Sequence, residues 1–218
     1  MIILIAAILV AGAAIGIFAG TASAYSHSGE RTIIIDAGHG GVDAGVLGKV
    51  SGEKESDINL SIAKHLKGYL SGAGFNAVMT RTTQGGLYGT STKGFKLRDM
   101  KKRKEIIENN NADMVVSIHQ NFCPIPSKRG THVFFDKDSE ISKRLAQSVQ
   151  SSMNSLNGIT TNTVLVGDYY MLKCTESPSV IVECGFLSNA EDEKLLCDDE
   201  YRKNVAYYIF RGIISYYS

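Results

Sequence analysis

The chain has 218 residues, carries 23 Lys+Arg against 22 Asp+Glu, and is 44% hydrophobic. A formal net charge of +1 leaves no electrostatic footprint for nucleic-acid binding, and this apolar share excludes disorder and a multi-span membrane protein. The length suits one domain, or at most two small ones.

No Asp, Glu, Lys or Arg occurs before Glu30, and from Ile2 to Ala24 only Thr21 and Ser23 interrupt an apolar run. That run matches the ~20 residues of a tilted membrane helix. It also ends in Ala22-Ser23-Ala24, the small-x-small pattern of an export signal, although its core exceeds the ~7–15 residues usual there. Residues 1–24 are therefore expected to be a cleaved signal peptide or a retained membrane anchor. Either role exports the remainder, residues 31–218, which suffices for one sizeable core.

Thr32-Ile33-Ile34-Ile35 is a β-branched run stopping at Asp36-Ala37-Gly38, and it reads as a buried strand. A glycine-rich loop follows, then a helix in which Ile58, Ile62, Leu66 and Leu70 recur every four residues until Gly72 and Gly74 end it. Phe75–Thr80 is a second strand, leading to a loop from Gln84 to Gly94. The next helix, about Leu97 to Asn110, is expected to place Leu97, Met100 and Ile107 on its inner side. Met114–Ile118 is a third strand running into His119, and His132–Phe135 a fourth. Helical patterns cover Ser139–Leu156 and Asp199–Tyr216, with short strands expected near Tyr169–Leu172 and Ser179–Val182. Short apolar strands alternating with helices indicate a single α/β domain with a largely parallel mixed sheet flanked by helices. No internal repeat or linker divides it.

In such a sheet, functional groups gather beyond the carboxyl ends of the strands. The strand ending at Ile35 delivers His39, the one ending at Ile118 delivers His119, and the one ending at Val182 delivers Glu183. Glu53 and Glu55 sit where the glycine-rich loop enters the first helix, on the same edge. Two His and one carboxylate, with a fourth position open to water, make a catalytic zinc set, and a remaining carboxylate could act as base. Spacing alone does not say which carboxylate takes which part. His119 as a hydrogen-bonded core histidine, and Glu53 or Glu55 as favourable charges at a helix N-terminus, are the plain alternatives.

Other chemistries fit less well. Gly38-His39-Gly40 begins like a dinucleotide loop, but Asp43 occupies the third glycine position, and no Gly-Lys-Ser/Thr follows for a P-loop. There is no Gly-x-Ser-x-Gly elbow. Cys123, Cys174, Cys184 and Cys197 form no C-x-x-C pair, so a zinc ribbon or thioredoxin-like site is not supported. Three disulfide pairings are conceivable, but small buried hydrophobes are the favoured reading, and Cys184 is expected to be a buried strand-end thiol rather than a nucleophile.

Four blocks go further: Ile33-Ile34-Ile35-Asp36-Ala37-Gly38-His39-Gly40-Gly41-Val42-Asp43-Ala44-Gly45, Glu55-Ser56-Asp57-Ile58-Asn59-Leu60, Ser117-Ile118-His119-Gln120-Asn121, and Val182-Glu183-Cys184-Gly185-Phe186-Leu187-Ser188-Asn189. In this order they resemble the zinc-dependent N-acetylmuramoyl-L-alanine amidases of bacterial cell walls. The resemblance implies Zn2+ as cofactor, His39, Glu55 and His119 as its ligands, and Glu183 as the catalytic residue. It is the family pattern that selects Glu55 over Glu53. Ala37 stands where many relatives have proline and Cys184 where an aliphatic residue is common; neither removes a ligand. The His119–Glu183 interval is too short for the inhibitory helix of the cell-separation members, so an open groove is expected. Lys93-Gly94-Phe95, Arg98, Arg103 and Ala112-Asp113, with the apolar N-terminal segment, look closer to the sporulation and germination amidases.

The implied partner is peptidoglycan, with the membrane engaged through residues 1–24 if they are uncleaved, in the wall or the intermembrane space of a spore. An exported zinc carboxypeptidase acting on wall peptides, or a non-catalytic wall-binding regulator, are the competing classes. Lys93, Lys96, Arg98, Lys101, Lys102, Arg103 and Lys104 form a basic stretch that reads as a solvated helix face, with attraction to wall carboxylates as the alternative. The Gln84–Gly94 loop is either a wall of the substrate groove or a plain connector.

Overall fold

Six consecutive residues, Thr32–Ala37, form β1, and every one is buried. A strand with no polar face must be covered on both sides, and the rest of the chain supplies that cover. A computed structural model describes residues 30–157 and 161–218. After β1 come α1 (Glu55–Gly72), β2 (Asn76–Met79), α2 (Phe95–Asn109), β3 (Met114–Asn121), β4 (His132–Phe135) and α3 (Glu140–Asn157). Then follow β5 (Leu165–Val166), a 3-10 turn (Tyr170–Lys173), β6 (Ser179–Phe186), α4 (Ala190–Leu196) and α5 (Asp199–Tyr217). Among the described residues no helix is long and apolar enough to cross a membrane. The expected signal or anchor, residues 1–24, lies outside them.

The strands make one mixed sheet in the order β2-β1-β3-β6-β4-β5. β2, β1, β3 and β6 run parallel, β4 pairs antiparallel to β6, and β5 runs parallel to β4. Alternation along β1 divides its side chains between the two faces. Ile33 and Ile35 join the larger core with Ile58, Ile62 and Leu66 of α1, Leu145 and Val149 of α3, and Val205 and Ile209 of α5. Ile34 faces the smaller core, with Ile107 of α2, Val115, Ile181, Met171 and Leu172.

Four local expectations change. Leu97 is 63% exposed, and the buried residues of α2 are Asp99, Arg103 and Ile107, so this helix docks on an ionic pair more than on an apolar stripe. Tyr170–Leu172 lies in the 3-10 turn Tyr170–Lys173, with Tyr169 as its extended N-cap, and not in a strand. The two-residue strand β5 and the helix α4 were not anticipated. α4 is separated from α5 only by Cys197 and by Asp198, whose side chain accepts from Tyr201 N and starts a new helix.

α3 and α5 approach closely at Gly212. A Cβ built there would meet Val149 Cα at 2.6 Å, which one rotamer change cannot relieve because the obstacle is backbone. We expect Gly212→Ala to destabilise the fold by ~1–3 kcal/mol, the usual cost of overpacking, read as a lower denaturant midpoint with unchanged slope.

Candidate active site

Because β1, β3 and β6 are parallel neighbours, their carboxyl ends share one edge. Ala37 pairs with Ile118, and His119 with Glu183. Beyond β1 the chain turns sharply, and His39 sits in it with a left-handed φ of 62°, unusual for a residue bearing a side chain and worth ~1–3 kcal/mol of strain. Glu55 is the first residue of α1 and is 2% exposed.

The structure brings His39, Glu55 and His119 together, each offering one ligand atom, all within 4.8 Å of one another. Glu55 Oε1 lies 3.2 Å from His39 Nε2 and 3.0 Å from His119 Nδ1. The same oxygen accepts from Gln120 N at 3.0 Å, and Oε2 accepts from Val46 N at 2.8 Å. Asn59 Nδ2, one helical turn on, reaches Oε1 at 3.3 Å. The two imidazoles meet edge-on with ring centroids 4.9 Å apart. This crowding is possible because Gly38 has no side chain: a Cβ there would lie 2.3 Å from His119 Cε1. Glu53, by contrast, lies outside the cluster and pairs with Arg202 at 3.1 Å.

Electrostatics at the cluster favour a cation. Burial raises the proton affinity of Glu55, but the hydrogen bonds and positive charge of His119 and His39 outweigh it and hold the carboxyl well below the usual range. Burial disfavours protonated His39, yet Asp43 and Glu55 outweigh that and raise it to about 9. His39 Nδ1 approaches Asp43 Oδ2 to 3.0 Å, close enough for an ion pair though not aligned as a hydrogen bond. A site that attracts a proton this strongly between two imidazoles and a carboxylate also suits a divalent metal, with Asp43 orienting the first imidazole from outside. The donor set therefore fits zinc.

Glu183 lines a cavity of about 390 Å³ together with His39, Asp43, Glu55, His119, Lys96, Tyr169 and Tyr170. Its Oε2 is buried without a hydrogen-bond partner. Burial pushes its carboxyl up to about 7, against the pull of His119 and with Glu55 adding to the rise. Sequence reasoning missed the tyrosine wall. Its signal was the Tyr169-Tyr170 doublet just upstream of β6, which was read as strand.

The glycine-rich loop Gln84–Gly94 packs against the His39 turn. It lines none of the cavity, yet it braces the His39 turn from outside: Gly41 N donates to Gln84 O at 2.7 Å and Val42 N to Tyr88 Oη at 2.8 Å. Cys184 is 2% exposed, and burial pushes its thiol far above the ordinary range, as suits an inert core residue. All four cysteines are free thiols; Cys174 and Cys184 are buried, Cys123 and Cys197 half-buried.

Comparison with known proteins identifies the family. Residues 33–215 match the family model for N-acetylmuramoyl-L-alanine amidase. The Bacillus subtilis protein YqiI is 35% identical over 189 residues, covering 86% of this chain and 85% of the relative. The germination-specific N-acetylmuramoyl-L-alanine amidase of Bacillus subtilis is 30% identical over 192 residues, covering 86% and 80%. Among solved structures, the CwlD amidase of Clostridioides difficile, in complex with the GerS lipoprotein, superposes with a TM-score of 0.83 at 38% identity, over 86% of this chain and 98% of that one. With the family model matching residues 33–215 and these relatives aligned over 86% of the chain, the chain belongs to the N-acetylmuramoyl-L-alanine amidase family.

Proposed function

We propose that the chain is a zinc-dependent amidase that hydrolyses the amide joining N-acetylmuramic acid to L-alanine in peptidoglycan, in cell-wall or spore-cortex remodelling. Residues 1–24 export or anchor it, and residues 31–218 are the catalytic domain, working on the outer side of the cytoplasmic membrane. The observation that carries this reading is the convergence of His39, Glu55 and His119 within 4.8 Å at the mouth of a cavity that Glu183 also lines. Likeness to a germination-specific amidase and to CwlD supports the spore role.

His39, Glu55 and His119 would hold the metal. Bound zinc supplies Lewis acidity, lowering the pKa of water to ~7 and polarising the scissile carbonyl. Glu183 takes a proton from the attacking water at its unpartnered Oε2. As the carbon–nitrogen bond breaks, it delivers that proton to the alanine nitrogen. A carboxyl near 7 is suited to both transfers at neutral pH.

The purified full-length chain, incubated with peptidoglycan, is expected to release intact peptide stems with a free L-alanine amine. A strong chelator is expected to abolish release, and added zinc to restore it. Mass analysis of the products checks this: loss of a terminal residue from the stems would identify a carboxypeptidase, and chelator-resistant activity would remove the metal.

A further inference from the structure

Two arginines lie buried beneath the His39 turn, Arg81 at 3% exposure and Arg103 at 1%. Arg103 belongs to the stretch that the sequence presents as a solvated basic face, and it is the member of that stretch that the fold turns inward. The guanidiniums grip the peptide planes on both sides of His39. Arg81 Nη2 donates to Gly38 O at 2.9 Å, where Asn59 Nδ2 also arrives at 3.2 Å. Arg103 Nη2 donates to His39 O at 2.7 Å. Ala37 O accepts one bond from each arginine, both at 2.8 Å. φ and ψ are rotations between the two planes that flank a Cα, so fixing both planes fixes the direction in which the side chain leaves. That constraint is needed at His39, whose left-handed φ of 62° is one an L-residue abandons when free to relax.

Arg103 is itself fixed from two directions. Nε pairs with Asp99 Oδ2 at 2.6 Å on its own helix, and Nη1 with Asp36 Oδ1 at 2.5 Å on β1. Asp99 Oδ1 also accepts from Leu87 N of the glycine-rich loop at 2.6 Å. One planar fork thus ties α2, β1 and the His39 carbonyl together. A lysine ammonium at the same place cannot reach all three.

We infer that Arg103 is a positioning residue for the metal centre: by holding the His39 carbonyl it keeps His39 in the left-handed conformation that aims its imidazole at Glu55 and His119. This role rests on the proposed function, in which His39 is a metal ligand.

The test is zinc affinity of the full-length Arg103→Lys chain, measured by competition with a chromophoric chelator, with thermal unfolding of the metal-free protein run alongside. Affinity is expected to fall by ~10–100-fold, the scale for loss of an outer partner of a metal ligand. With zinc saturating, kcat is expected to fall and KM to stay near the wild-type value. Ile107→Ala is the control, since Ile107 lies on the same helix, 1% exposed, and packs against Ile34 and Val115. It is expected to lower Tm while keeping wild-type zinc affinity. Wild-type affinity in Arg103→Lys, or a loss no larger than in Ile107→Ala at equal Tm, overturns the positioning role and leaves the ligand assignment standing. A wild-type chain with no zinc affinity overturns both. If Arg103→Lys does not fold, Asp99→Asn loosens the same fork from α2: a several-fold loss of affinity supports the role, and none overturns it.

Discussion

Glu183→Gln is expected to retain stoichiometric zinc and lose at least ~10²-fold in turnover, the scale of general acid–base catalysis. The amide matches the carboxylate in shape but cannot take a proton from water. The substitution is close to isosteric, and the Oε2 it replaces has no hydrogen-bond partner. Neighbouring Val182 and Cys184 are buried at 0% and 2% exposure, so β6 keeps its place. Metal content of the purified variant, together with rates of stem release, separates the two roles. Full activity in Glu183→Gln would remove it as the base; lost zinc would make it a ligand.

His39→Ala is the converse, expected to lose zinc and, with it, activity. If His39 is one of the three proposed ligands, its removal should cost more than the ~10–100-fold loss in affinity that follows removal of an outer-shell partner. His39 is a better probe of the ligand set than Glu55. Glu55 also accepts from the backbone of Val46 and Gln120, so replacing it would disturb the start of α1 and the end of β3 together. Without His39, Glu55 still keeps those two bonds and the His119 contact at 3.0 Å. A folded His39→Ala chain that binds zinc with wild-type affinity would therefore exclude His39 from the ligand set.

How much of this was legible depends on the length scale of each feature. β1 announced itself as four β-branched residues in a row, α1 by its four-residue repeat, and β3 by an apolar run ending at His119. In each case local burial pattern and final environment coincide. The two-residue β5 and the seven-residue α4 did not show. β5 has no room for alternation, and α4 hides beside α5 because only the Asp198 cap divides them. Leu97 was placed inward by helical spacing, but at 63% exposure it yields that side to the ion-paired face that α2 docks on.

The site divides in the same way. The sequence by itself determined that His39, His119 and Glu183 follow strands, since a strand's end is a local property, and four ordered motif blocks named the family. Spacing could not choose between Glu53 and Glu55. The fold chooses, by turning Glu55 inward at the first residue of α1 and leaving Glu53 to Arg202. Likewise, nothing local marks Arg103 as different from its basic neighbours. It is buried because Asp36 and the Ala37 carbonyl on β1, the His39 carbonyl in the turn beyond it and Asp99 on α2 converge on one point. A guanidinium leaves water only where several partners arrive together, and only the tertiary structure decides where that happens.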